Sequence, residues 1–156
     1  MKTILLSFNP LYFEPLKNGT KKYEYRSRFT DEKVKAYLYL SSPVRKVVAV
    51  VYFGKRIPLE NMKVEYSEND MVVKRIEEYI HRYKKNYAIP VERIEFIEPI
   101  SLQHIRDRIP RFMPPQSYMI VKDNSTLELV LKETKHVDHV IEIDHNNIFP
   151  DDICVN

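Results

Sequence analysis

The chain of 156 residues holds only 2 glycines and a single cysteine. Average usage of about 7% would give roughly 11 glycines, so motifs built on a glycine-rich loop are excluded, the dinucleotide fingerprint and the P-loop among them. Cys154 on its own excludes an internal disulfide and any zinc site needing two thiolates from one chain, and it suits a reducing compartment. No stretch approaches the ~18 uncharged apolar residues of a membrane helix, and the start MKTILLSFNPLYFEPL lacks a small-residue cleavage site. These absences predict a soluble, cytoplasmic protein without a membrane partner. The length predicts one domain able to bury a real core.

Charge of one sign is scarce at each end. Residues 1–56 carry 12 basic against 4 acidic side chains, residues 57–135 carry 13 of each, and residues 136–156 carry five acids with no Lys or Arg. The net charge of +3 therefore hides a front of +8 and a tail of −5. A basic segment rich in aromatics is one electrostatic footprint of a nucleic-acid site, because phosphates are attracted and bases stack on rings. The same charges, mixed by folding, also make an ordinary solvated surface.

The pattern along the chain is that of mixed helices and strands without repeats or linkers. KTILLSF reads as a strand. Asn9 caps a helix with Pro10 at its first position, Pro15 either kinks that helix or confines it to little more than one turn on each side, and Asn18-Gly19 ends it. From Thr20 to Phe29 the residues alternate, with Tyr23, Tyr25 and Ser27 on one face and Lys22, Glu24, Arg26 and Arg28 on the other. AYLYL and VRKVVAVVYF follow, split by the turn Ser41-Ser42-Pro43, and these three strands are candidates for one antiparallel sheet. Val72, Ile76, Tyr79, Ile80 and Tyr83 recur at helical spacing over residues 71–86, with Ser67 and Asp70 as a capping box. Residues 87–99 read as a strand, 101–108 as a helix capped by Ser101, and 116–121 as a strand. LELVLKETKH suits a helix capped by Ser125 or Thr126, and VDHVIEI alternates like an edge strand or forms a loose tail. The expected division is a domain over residues 1–135 and an acidic C-terminal strand or tail over 136–156.

The most informative segment is Gly19-Thr20-Lys21-Lys22-Tyr23-Glu24-Tyr25-Arg26. A glycine stop followed by a tight turn delivers a strand on which Glu24 and Arg26 share a face, with Lys21 at its start. If that face lines a cleft, burial and mutual proximity perturb the proton affinities, whereas an exposed face is simply solvated.

The spacing of Gly19, Lys21, Glu24 and Arg26 fits the GxKxxExR signature of the ASCH domain, and the chain resembles that family. ILLSFNP ahead of the first helix, Ser41-Ser42-Pro43 before a valine-rich strand, and Pro114-Pro115-Gln116-Ser117-Tyr118 support the resemblance, which covers Met1 to Val121 and more weakly reaches Lys135. It implies an α+β fold, a PUA-like partly open β-barrel of about five to six strands flanked by helices, with the signature facing a cleft between the first helix and the barrel. It also implies RNA or a nucleotide as ligand, without a cofactor. Arg26 then suits a bidentate contact to phosphate or a base edge, Lys21 a point charge for phosphate, and Glu24 an acceptor for an exocyclic amine or ribose hydroxyl. Alternatively, Glu24 and Arg26 only brace each other. Lys22, Arg28, Ser41, Ser42 and Gln116 complete the expected binding set, and Gly19 is structural.

Some small ASCH proteins resemble amidohydrolases acting on N4-acetylcytidine through a Lys, a Thr nucleophile and a Glu; others are described as ribonucleases. Lys21 fills the Lys slot here, but the nucleophile slot holds Glu24, and Thr20 and Ser27 sit at the wrong offset or face. Only if the chain is an enzyme are Lys21 and Glu24 its catalytic residues, and Glu60, Glu65 and Glu68 are available as partner acids. An adaptor that binds a protein partner through its acidic tail or tyrosine-rich surface is a further alternative. His136, His139, Asp144 and His145 offer metal ligands, but HxxH in a polar tail lacks the helical HExxH context, and no metal is expected. Lys74, Arg75, Arg82, Lys84 and Lys85 either extend a nucleic-acid surface or form a solvated helix face. Tyr23, Tyr25, Tyr37 and Tyr39 read as core with wet hydroxyls. Cys154 lies near an exposed acidic end with nothing to depress its pKa.

Overall fold

The computed structural model describes residues 1–155; Asn156, the last residue of the acidic tail, lies outside them. Strand β1 (Lys2–Phe8) runs into a 3-10 turn (Pro10–Tyr12) and helix α1 (Phe13–Lys17). Asn9 Oδ1 accepts from the Leu11 amide at 3.0 Å, satisfying one of the donors that a helix start leaves unpaired. Then come β2 (Tyr23–Arg26), β3 (Val34–Leu40), β4 (Lys46–Phe53), the short β5 (Ile57–Pro58), α2 (Leu59–Glu65) and α3 (Asp70–His81). The long β6 (Tyr87–Ser101), α4 (Leu102–Arg108), β7 (Tyr118–Ile120), α5 (Thr126–Lys132) and β8 (His136–Glu142) complete the chain.

Six strands follow the order β2-β6-β4-β3-β1-β7, with β5 and β8 also paired to β6. The result is a curled, mixed half-barrel with five helices among the described residues, the α+β fold expected, with six strands on the main path and β5 and β8 added along β6. Among the described residues only β1 and β3 run parallel. The expected three-stranded sheet needs one correction. β3 pairs antiparallel with β4, but β2 pairs with neither and instead lies along β6, Glu24 opposite Ile89 and Arg26 opposite Tyr87. Fifteen residues make β6 long enough to bind β2 and β5 at one end and β4 at the other. Register shifts against β4 and β8 put bulges in this ribbon, and bulges bend and twist a sheet.

Period-two alternation distributes the core over both faces. Ile4, Leu6, Phe8, Ala36, Leu38 and Leu40 enter the barrel interior, while Leu5, Tyr37 and Tyr39 pack on the other face with Leu102, Ile105 and Leu131 of α4 and α5. Burial on both sides explains why ILL and AYLYL read as continuous apolar runs. A third cluster joins Tyr23 and Tyr25 of β2 to Leu59, Met62, Val72 and Ile76 of α2 and α3, closed by Ile153 and Cys154.

Three local expectations change. The cap of α3 is Asn69, whose Oδ1 accepts from the Val72 amide at 3.1 Å, and not Ser67; the helix ends at His81, before the left-handed Lys84. Helix α2 has no counterpart in the sequence reading, because its apolar positions are few and Pro58 precedes it. The C-terminal segment is no loose tail: β8 pairs with residues 93–97 of β6, Arg75 donates to the carbonyls of Pro150 and Ile153, and Cys154 is buried, its amide donating to Tyr25 Oη at 2.7 Å.

Gly19 ends α1 at φ +79°, and a Cβ there would stand 3.2 Å from Ile141 Cγ2 of β8. A left-handed residue with a side chain costs about 1–2 kcal/mol, and a β-branched one adds the clash. Gly19→Val is expected to lower stability by at least about 2 kcal/mol in urea denaturation, with Gly19→Ala losing less, as the Ile141 contact requires.

Candidate functional site

The site is assembled by the end of α1. Beyond Gly19 the chain folds back so that the Pro15 carbonyl accepts from both the Thr20 and Lys21 amides, at 3.0 and 2.9 Å. This turn drives Lys21 inward, leaving it 2% exposed, and the alternation of β2 puts Glu24, 8% exposed, on the face opposite Tyr23 and Tyr25. Lys21 Nζ lies 3.4 Å from Glu24 Oε1. Arg26 donates through Nε and Nη2 to Glu24 Oε2 at 3.1 and 2.9 Å, and Nη2 also reaches the Ser7 carbonyl at 2.9 Å. The Tyr25 amide donates to Glu24 Oε1 at 3.1 Å. Glu24 and Arg26 therefore do brace each other, with β1 held against β2 through Ser7.

Burial alone would raise the Glu24 carboxyl, but the Lys21 and Arg26 charges, the Arg26 hydrogen bond and the Tyr25 amide outweigh it and hold the group below the usual carboxylate range. Burial lowers the Lys21 ammonium against the opposing pull of Glu24, with Arg26 and Lys85 adding repulsion. Two cations face one carboxylate, so Glu24 stays ionised. Lys21 Nζ also lies 5.5 Å from the Tyr25 ring centroid.

These residues line a cavity of about 1100 Å³. Lys21, Glu24, Arg26 and Tyr25 form one side, extended by Glu78, Tyr79, Tyr83 and Lys85 from α3 and the turn after it. Ser7, Phe8, Asn9 and Tyr12 come from the end of β1 and the turn into α1. The rest of the lining is made by Tyr39, Ser41, Ser42 and Arg45, by Leu102 and Arg106 of α4, and by the strap Pro114-Pro115-Gln116, tied to β1 by Ser7 Oγ donating to the Pro115 carbonyl at 2.6 Å.

Of the sequence-derived set, Lys21, Glu24, Arg26, Ser41, Ser42 and Gln116 meet in this cavity. Lys22 and Arg28 do not line it: Lys22 Nζ donates to the Gly19 carbonyl at 3.2 Å, and Arg28 is exposed beyond the end of β2. Of the helix cations, Lys85 lines it, whereas Arg75 binds the C-terminal segment. Tyr79 and Tyr83 form edge-to-face contacts in series with Tyr25, at 4.9 and 5.7 Å between centroids. Their helical spacing was visible, but only the placement of α3 over β2 turns them toward the site. Arg45 and Arg106 left no signal in the sequence, being single arginines in a turn and a short helix.

Glu60, Glu65 and Glu68 do not line the cavity; the carboxylate that joins Glu24 there is Glu78. The Cys154 thiol sits in the core, and burial pushes its pKa up to about 12, which removes it as a nucleophile. Among the described residues no three His, Cys, Asp or Glu side chains are placed to hold a metal. His145 Nε2 lies 2.7 Å from the Val91 carbonyl, and His139 packs on Phe96 with centroids 4.7 Å apart.

A carboxyl held low in the fold stabilises it above the ordinary carboxylate pKa and loses that contribution as pH falls through the folded value. The wild type is therefore expected to lose stability from about pH 4 downward, while Glu24→Gln has a flatter acid limb. At neutral pH Glu24→Gln is expected to be less stable by about 3–5 kcal/mol, since it leaves the buried Lys21 and the half-buried Arg26 without their carboxylate. Thermal denaturation of both proteins across pH 2 to 8, roughly the range spanned by carboxylate titration, measures the two effects together.

No protein-family model and no curated protein matches the sequence. Solved structures do match. The chain superposes on the ASCH crystal structure from Zymomonas mobilis with a TM-score of 0.66 over 88% of this chain and 99% of that one, at 20% sequence identity. Two point mutants of that protein each give 0.65 at 19% identity over 86% of this chain, covering 97% and 100% of theirs. No helix among the described residues is long and apolar enough to cross a membrane. The superposition shows the fold: this chain has the fold of the ASCH structures, a curled half-barrel.

Proposed function

We propose that the chain binds RNA or a nucleotide in the cavity around Lys21, Glu24 and Arg26. The observation that carries this reading is the composition of the walls. Five cations, Lys21, Arg26, Arg45, Lys85 and Arg106, face two carboxylates and a set of tyrosines in one concave space. Cations attract phosphate, and tyrosine faces accept bases of any identity. A volume of about 1100 Å³ lies above the roughly 300–1,000 Å³ of small-molecule pockets, room for more than one nucleotide unit. The Lys21–Glu24–Arg26 cluster serves as the rigid floor. Arg26 already spends two of its nitrogens on Glu24 and Ser7, so the ligand meets mainly the outer cations and rings.

Hydrolysis with Glu24 activating water is disfavoured. A general base works best with a pKa near the operating pH, and Glu24 is held far below it by two cations. Incubation with N4-acetylcytidine is expected to release no cytidine above the rate in buffer, followed by chromatography.

Titration of a short mixed-sequence single-stranded RNA is expected to give an affinity that falls as salt rises, with a slope of about 0.7 per phosphate neutralised. Tyr83, 49% exposed, is removable without opening the core, and Tyr83→Ala is expected to cost about 1–3 kcal/mol of binding. Wild-type affinity in both Tyr83→Ala and Lys85→Gln would refute this location for the ligand.

A further inference from the structure

The five cavity cations are not equivalent. Lys21 and Arg26 are engaged with Glu24 in the floor, and Lys85 shares its side of the cavity with Glu78. Arg45 and Arg106 come from the turn after β3 and from α4, and neither forms an ion pair among the described residues. Their positions are set by backbone. Residues 41–45 form a tight turn in which the Val44 and Arg45 amides both donate to the Ser41 carbonyl, at 3.1 and 3.4 Å, and Arg45 sits at φ 53°. The Arg45 carbonyl accepts from the Leu102 amide at 2.9 Å, which joins that turn to the start of α4. Arg106 lies one turn further along α4 and donates through Nε to the Phe112 carbonyl at 2.9 Å. Burial raises the Tyr39 phenol, the Arg45 and Arg106 charges both act to lower it, and all three residues line the cavity. Ser41 and Ser42 bring further hydroxyls to the same side.

We infer that Arg45, Arg106, Tyr39 Oη and the Ser41-Ser42 turn form a dedicated phosphate subsite, so that the ligand is a phosphorylated nucleotide, free or as a unit of RNA, and not a nucleoside. The inference rests on the proposed function and assigns its polarity: base toward Tyr79 and Tyr83, phosphate toward Arg45 and Arg106. Two guanidinium groups without carboxylate partners hold uncompensated positive charge facing a concave wall, the arrangement that favours a compact dianion.

Isothermal titration with the four nucleosides, their 5′-monophosphates, inorganic phosphate and a short single-stranded RNA tests this. The wild type is expected to bind a monophosphate at least tenfold tighter than its nucleoside. Arg45→Gln alone, and Arg45→Gln with Arg106→Gln, are expected to bring that ratio toward one while leaving nucleoside binding within about twofold. Arg45 is exposed and its side chain makes no hydrogen bond among the described residues, so the single variant remains a fair test if loss of the Arg106–Phe112 contact unfolds the double one. If only RNA binds, the double variant is expected to lose about 1.4 from the slope of log affinity against log salt, two phosphates at about 0.7 each. Equal binding of nucleoside and monophosphate by the wild type, an undiminished ratio in Arg45→Gln, or an unchanged RNA slope overturns the subsite while leaving the cavity as a binding site. Absence of binding by the wild type to every ligand overturns the proposed function and this inference together.

Discussion

The buried carboxylate of Glu24 is the point on which the site depends. An ionised carboxylate out of water is costly unless its oxygens are occupied. Here Oε1 takes the Tyr25 amide and faces Lys21, while Oε2 takes two nitrogens of Arg26. Each partner is itself pinned: Lys21 by the turn that Gly19 permits, Arg26 by the Ser7 carbonyl of β1. The cluster thus ties the end of α1, strand β2 and the end of β1 into one floor. Removing any member strands a charge on the others, which is a stronger constraint on sequence than the net strength of the ion pair.

That floor exists only because β6 is long. It carries β2 at its first four residues and β4 from Val91 to Ser101, so the motif strand is displaced from the rest of the early chain and opens a concavity between them. The third hydrophobic cluster, α2 and α3 against β2, then supplies the tyrosine wall, and Ile153 and Cys154 close it from the C-terminal end. The C-terminal segment is therefore part of the support of the site, despite its acidic and polar composition.

Charge segregation along the chain acquires a spatial meaning in the fold. Of the cavity cations, Lys21, Arg26 and Arg45 come from the basic front, while Lys85 and Arg106 come from the middle of the chain, whose overall balance is zero. The five acids after residue 135 contribute nothing to the walls. A net charge of +3 is thus compatible with a locally basic concavity, because the compensating carboxylates lie elsewhere.

Local chemistry could be read from the sequence wherever it is settled within a few residues: the Asn9, Ser101 and Ser125 caps, the glycine stop at Gly19, the alternation that sets Glu24 and Arg26 on one face, and the strands around Leu5 and Leu38, though not their burial on both faces. The family resemblance added the half-barrel and the cleft. Pairing over distance was not legible. That β2 lies on β6 and not beside β3, that Lys22 and Arg28 do not line the cavity, and that Arg45 and Arg106 join Tyr39 in lining it depend on which strand edges and helix faces find each other. Hydrophobic periodicity says which face of an element is buried, but not against what. The sequence by itself therefore determined the caps, the stop and the charged face of the motif strand, each fixed by backbone geometry over a few residues. Tertiary structure alone decided the partner of that strand, the far wall of the cavity and the burial of Cys154, because each requires groups distant in sequence to exclude water together.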